Sequence, residues 1–166
     1  MRYITGGTIA FVLALVQASS IEQFKIVGAT PNLLLVMLAT WLVVRGLDDV
    51  LPMIAVAGVT TGLIGLQTPG LVLLALLPIA GFGVLREMHV IHNDLVLAIG
   101  LVFAASVAYE VVILLSVMAT GGALDPLAAL RSAVLPVAIV NVAMTPFVFA
   151  VMRLARPSSR GRRLAY

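Results

Sequence analysis

Residues 95–118 read LVLAIGLVFAASVAYEVVILLSVM, a run whose only charge is Glu110. A run of this length and apolarity crosses a bilayer as a helix. A glutamate inside it needs a reason, because an acid at such depth costs roughly 2–3 kcal/mol on insertion scales. The run therefore poses both the fold and the function. It predicts a membrane helix, and it asks whether Glu110 carries protons, meets a ligand or joins helices.

Outward from this run the chain keeps the same character. Of 166 residues, 62% are hydrophobic and 10% charged, with a mean hydropathy of +1.19. A soluble domain of this length could not cover so much apolar surface with so few charges. There are no cysteines, so disulfides and thiolate metal sites are excluded. The reading is an all-α integral membrane protein, a bundle of six transmembrane helices at roughly 4–20, 31–46, 50–67, 69–85, 95–118 and 128–152. Pro31, Pro52 and Pro69 fall at or just inside span starts, where a missing N–H costs little. The short links "LDD" and "QTPG" make successive spans antiparallel neighbours. The six-helix domain is expected over 1–153, followed by a basic tail over 154–166.

Orientation follows from the basic residues. Six spans put both termini on one side, which collects Arg2, Arg45, Arg86, Arg153, Arg156, Arg160, Arg162 and Arg163. Lys25 and Arg131 alone fall on the other side, so both termini are expected in the cytoplasm. Arg2, the apolar stretch after it and "VQASS" also resemble a secretory signal cleaved after Ala18. The expectation is a retained anchor, and cleavage would leave five spans with the tail on the same side.

Glu110 lies about 12 Å from the outer end of its span at 1.5 Å per residue, and Ser106 sits one turn earlier on the same face. A neutral acid there is both donor and acceptor, and Ser106 can hydrogen-bond to it. No other span supplies a second mid-membrane acid, Lys or His, so structural pinning or a partner contact is favoured over a proton relay. The last span, "AVLPVAIVNVAMTPFVFAVMR", carries Asn141 near its middle. Pro136 and Pro146 would leave the carbonyls of Ser132 and Val142 without their usual donors. Thr145, on the same face as Asn141, can offer its hydroxyl to the Val142 carbonyl. A kinked packing helix, with or without a groove for another helix, accounts for the pattern.

The third span holds "GVTTGLIG", with Gly58 and Gly62 at the spacing that lets two helix backbones approach. Packing within the chain is the favoured use, a docking face for a partner span the lesser one. His89, His92 and Asp94 in "REMHVIHND" read as a solvated loop, with no metal or other cofactor expected. The tail residues Arg153, Arg156, Arg160, Arg162 and Arg163 suit anionic lipid headgroups, about 1 kcal/mol each near the surface. There is no nucleophile-and-base arrangement, phosphate loop or dinucleotide fingerprint, so no enzyme activity and no nucleic-acid partner is expected.

Taken in order, these motifs resemble the MreD family, small membrane proteins of the bacterial rod-shape (elongation) machinery. "GATPNLLLVMLATWLV" at 28–43 is similar to that family's Pro-Asn/Asp-Leu opening of the second span. "GVTTGLIG" at 58–65 resembles its Gly-x-x-x-Gly-Leu segment, and Glu110 stands where an acid tends to occur in the fifth span. "VNVAMTPFVFAVMR" at 140–153 resembles its Asn-to-Pro last span with a basic tail. One departure is the Asp that usually follows the third-span Gly-Leu: here no acid lies between Asp49 and Glu87.

The resemblance implies a non-catalytic scaffold or regulatory subunit of the bacterial inner (cytoplasmic) membrane. It implies a fold similar to the six-helix substrate-binding subunits of energy-coupling-factor transporters. Implied partners are the single-span protein MreC and, through it, the elongation peptidoglycan synthase and the MreB-type cytoskeleton. Two faces suit a single-span partner, the Gly58–Gly62 face and the last span around Asn141, Thr145 and Pro146, and the last span is favoured. The alternative is a substrate-binding subunit of a small-molecule (vitamin-type) transporter.

Overall fold

The computed structural model describes residues 2–20, 30–65, 67–83, 86, 93–122 and 125–154, with the backbone alone at 2–5 and 18–20. The described residues form helices and connections, with no strand among them. The helices are α1 (Arg2–Ser20), α2 (Leu33–Arg45), α3 (Leu47–Ile64), α4 (Pro69–Gly81), α5 (Asp94–Ala119) and α6 (Pro126–Leu154). Three of them, α3, α5 and α6, are long and apolar enough to cross a membrane, and the other three are shorter apolar helices. The chain is a helical membrane protein. Its outer surface agrees with that, since Leu63 and Phe147 are 73% and 67% exposed. Water would penalise such side chains and lipid does not.

The core is built around α2. Its sequence, LLLVMLATWLVVR, is apolar on every side, as suits a helix surrounded by others. Leu34 to Thr40 and Leu42 to Val44 are all buried. The remaining five helices pack on it: α1, α3 and α4 on one side, α5 and α6 on the other. Thr40, buried in the middle of α2, donates to the Val36 carbonyl at 2.7 Å and so needs no partner outside its own helix.

The helix ends differ from the sequence reading in instructive ways. "LDD" is not a link, because Asp48 and Asp49 form the first turn of α3, where the helix dipole favours acids. Gly46 alone connects α2 to α3, at φ 101°, a conformation open to glycine and strained for other residues. Pro52, expected at a span start, therefore lies inside α3, in its second turn. Arg86 donates from Nε to the Val43 carbonyl at 2.9 Å, covering an acceptor that the last turn of α2 leaves open. In α6 the turn Leu130–Val134 is π-helical, closed by the Leu135 N–H on the Leu130 carbonyl. Pro136 offers no N–H to the Ser132 carbonyl, and the wider turn just before it accommodates that loss.

Three residue counts fix the register. Asn32 lies 13 positions before Arg45 (45 − 32), Asn141 lies 12 before Arg153 (153 − 141), and Ser106 lies 12 after Asp94 (106 − 94). Asn32, Asn141 and Ser106 meet in one hydrogen-bonded cluster. α2 and α6 therefore run in parallel from that cluster to their arginines, about 18–20 Å away. The cluster sits half-way along α5, and helix α2 starts at this height. Beyond it, α5 and α6 continue without α2 between them.

Candidate functional site

The start of α2 lies within the bundle, and a helix start leaves amide N–H groups without helical partners. In apolar surroundings each must be met by another protein group. The sequence meets them with three amide side chains. Asn32 caps the helix, its Oδ1 accepting from the Leu35 N–H at 3.0 Å. The Asn32 N–H donates to Asn141 Oδ1 of α6 at 2.7 Å. Gln17 of α1 accepts from the Leu33 N–H at 3.0 Å and donates from Nε2 to the Pro31 carbonyl at 3.3 Å. Asn141 Nδ2 then donates to Ser106 Oγ of α5 at 2.9 Å. Four helices are joined through one junction made of amides, carbonyls and a hydroxyl.

Two expectations are corrected here. Ser106 serves Asn141, not Glu110, because α6 packs directly over it and buries it to 1% exposure. Thr145 donates to the Asn141 carbonyl at 2.9 Å, not to that of Val142. Asn141 and Thr145 have no exposed surface, so the part of the last span expected to meet a partner faces inward. Ala143, Pro146 and Phe147 are the residues of that stretch that face outward.

Glu110 lies one turn past Ser106, where α5 has left the core; its last buried residue is Ser106 itself. The carboxylate lines a cleft of about 440 Å³ between the parts of α5 and α6 that continue beyond the junction. Ile113, Val117, Ser132 and Val134 also line it, with Asp125 at the end nearest the α5–α6 connection. Ser132 donates to the Ala128 carbonyl at 2.7 Å, and Asp125 Oδ1 caps the Leu127 N–H at 3.0 Å. Both serve their own helix, whereas Glu110 makes no hydrogen bond among the described residues. On the α6 side the π turn supplies Ser132, Ala133 and Val134 of the wall, and Ala128 and Ala129 come from the turn before it.

Gly58 and Gly62 are spent within the chain. A Cβ on Gly58 would meet Leu73 Cδ2 at 2.5 Å, and one on Gly62 would meet the Pro69 nitrogen at 2.7 Å. Helix α4 occupies that face, so it offers no room for a partner span. Arg153 closes α6 with its guanidinium 5.2 Å from the centre of the Phe149 ring. Arg156, Arg160, Arg162 and Arg163 lie outside the described residues, as do His89 and His92, while Asp94 opens α5 behind the Asn93 cap. Among the described residues no three His, Asp or Glu side chains come together as a metal site.

Gln17, Asn32 and Arg86 carry contacts that the sequence reading did not assign. Gln17 falls in "VQASS", whose small residues pointed to a cleavage site; its signal was a lone amide in an apolar run. Asn32 was visible as the polar residue between Pro31 and three leucines, a cap signature. Comparison with protein-family models, with curated proteins and with solved structures gives no match to this chain.

Proposed function

We propose that this chain is a non-catalytic scaffold subunit of the bacterial elongation (rod) complex, an MreD-like protein that holds an MreC-like single-span partner in the inner membrane. In this reading it crosses the membrane six times with both termini in the cytoplasm. The peptidoglycan synthase and the MreB-type cytoskeleton are reached through the partner. The observation that carries the proposal is the Asn32–Asn141 bond. The Pro-Asn-Leu and Asn-to-Pro segments, which bear the resemblance, lie 109 positions apart and meet in one contact. A family that relies on this junction would need both segments. The junction contains no titratable group, which favours fixed packing over a proton-coupled cycle.

The partner surface proposed is the cleft between α5 and α6, with Glu110 as its polar contact. Membrane helices associate through close packing and one or two hydrogen bonds. Glu110→Gln retains a donor and an acceptor and should keep the partner bound. Glu110→Leu should weaken partner co-purification by roughly 0.5–2 kcal/mol. Neither change should alter the stability of the isolated protein, since Glu110 makes no hydrogen bond among the described residues. Co-purification from native membranes, with partners identified by mass spectrometry, reads the outcome. Loss of complex in the Gln variant would count against the proposal.

The cleft volume also falls within the range of small-molecule sites, about 300–1,000 Å³. That favours the transporter-subunit alternative as the second reading. There Glu110→Gln would abolish uptake of the substrate while the protein stayed folded.

The topology has its own test. Arg45, Arg86 and Arg153 gather at one end of the bundle, the end that the basic asymmetry assigns to the cytoplasm. A reporter fused after Tyr166 should be active only in its cytoplasmic form. Activity confined to the outer face would overturn the assignment.

A further inference from the structure

A second concavity lies on the opposite flank of α6, away from Glu110. It is a groove of about 380 Å³ between α1, α2 and α6, lined by Leu13, Met37, Trp41, Met144, Val148 and Met152 among others. Its walls follow the register set by the junction. Leu33, Met37 and Trp41 descend α2 at four-residue steps while Met144, Val148 and Met152 descend α6 beside them. The groove thus runs about 12 Å from the level of the junction toward the arginine end. One leaflet of a bilayer is about 15 Å of hydrocarbon, so the groove spans most of one acyl-chain layer.

The exposed wall is apolar, and one unmet polar group lies behind it. The indole N–H of Trp41 is covered and has no hydrogen-bond acceptor among the described residues. One turn below it, the Arg45 guanidinium lies 5.3 Å from the centre of the Trp41 ring. Arg153, at the same level of α6, packs instead on Phe149, a core residue outside the groove. An apolar slot of acyl-chain length that ends at a cation complements one kind of molecule, an anionic amphiphile.

We infer that this groove holds an anionic glycerophospholipid of the leaflet at the arginine end, one acyl chain against Met37 and Trp41 and the phosphate at Arg45. The inference rests on the membrane character of the chain and not on the scaffold proposal. The ester and phosphate oxygens of such a lipid are acceptors at the depth where Trp41 and the Arg45 guanidinium stand.

Trp41 is the one tryptophan of the chain, so its emission reports on this groove alone. Bromine on an acyl chain quenches indole emission only near contact. The purified full chain is reconstituted in phosphatidylcholine vesicles containing a minority of phosphatidylglycerol, with bromine on the chains of one lipid or the other. The expected result is a preference of roughly fivefold for brominated phosphatidylglycerol, the gain of one arginine near a surface. Arg45→Gln should bring the ratio close to one, whereas Arg153→Gln should leave it unchanged, because that guanidinium packs on Phe149 outside the groove. Each ratio is taken within one variant, so a change in Trp41 emission on losing the guanidinium cancels. Equal quenching by the two lipids in the wild-type protein would overturn the inference, leaving an ordinary lipid-facing surface. Quenching by neither would also overturn it, since the groove would then be closed, or covered by a second copy or a partner helix.

Discussion

Asn141→Leu is expected to destabilise the purified protein by about 2–4 kcal/mol. The change removes the acceptor of the Asn32 N–H and the donor to Ser106, at a site with no exposed surface. An orphaned buried N–H costs about 1–3 kcal/mol, and a hydrogen bond between membrane helices adds about 0.6–1.7 kcal/mol. Against a whole-domain stability of about 5–15 kcal/mol this is a large fraction. Thermal unfolding in detergent, compared with wild type, measures it. Ser106→Ala should cost less, because it leaves the Asn32–Asn141 bond intact. Combining Ser106→Ala with Asn141→Leu should add little to Asn141→Leu alone, as the shared bond is lost once. An Asn141→Leu protein as stable as wild type would show that the junction contributes nothing to holding the helices.

The next largest effect is expected at Gly62. A Cβ there would stand 2.7 Å from the Pro69 nitrogen, a backbone atom in the first turn of α4. The connection between α3 and α4 is only 65–68, so the two helices cannot separate freely. Gly62→Leu should therefore cost about 3 kcal/mol. Gly62→Ala is a milder case, with a helix-propensity gain of about 1 kcal/mol against the clash. Gly58→Ala should cost less than Gly62→Ala, because its nearest obstacles, Leu73 Cδ2 at 2.5 Å and Cγ at 2.7 Å, belong to a side chain that can turn, and the backbone Cα stands back at 3.2 Å. The same unfolding measurement ranks the three. If Gly58→Ala proves worse than Gly62→Ala, the α3–α4 contact is set by the Leu73 side chain and not by backbone approach.

The sequence alone determined that this is a helical membrane protein and located its helices to within a few residues. Long apolar runs, prolines at their starts and the glycine spacing of 58 and 62 are local properties, and local chemistry dictates them. It also singled out Glu110, Ser106, Asn141 and Thr145 as polar groups in apolar helices that need an explanation. Only the tertiary structure decided which of them meet. Spacing of four residues shows that Ser106 and Glu110 share a face of α5, but the face has two neighbours. At Ser106 it meets α6 and Asn141, whereas one turn on it opens into a cleft. The bond from Asn32 to Asn141 crosses 109 positions, beyond the reach of any helical period. Hydrophobicity could not supply the missing information either. Lipid is as apolar as the interior of the bundle, so the buried leucines and valines of α2 read like those of the second half of α5.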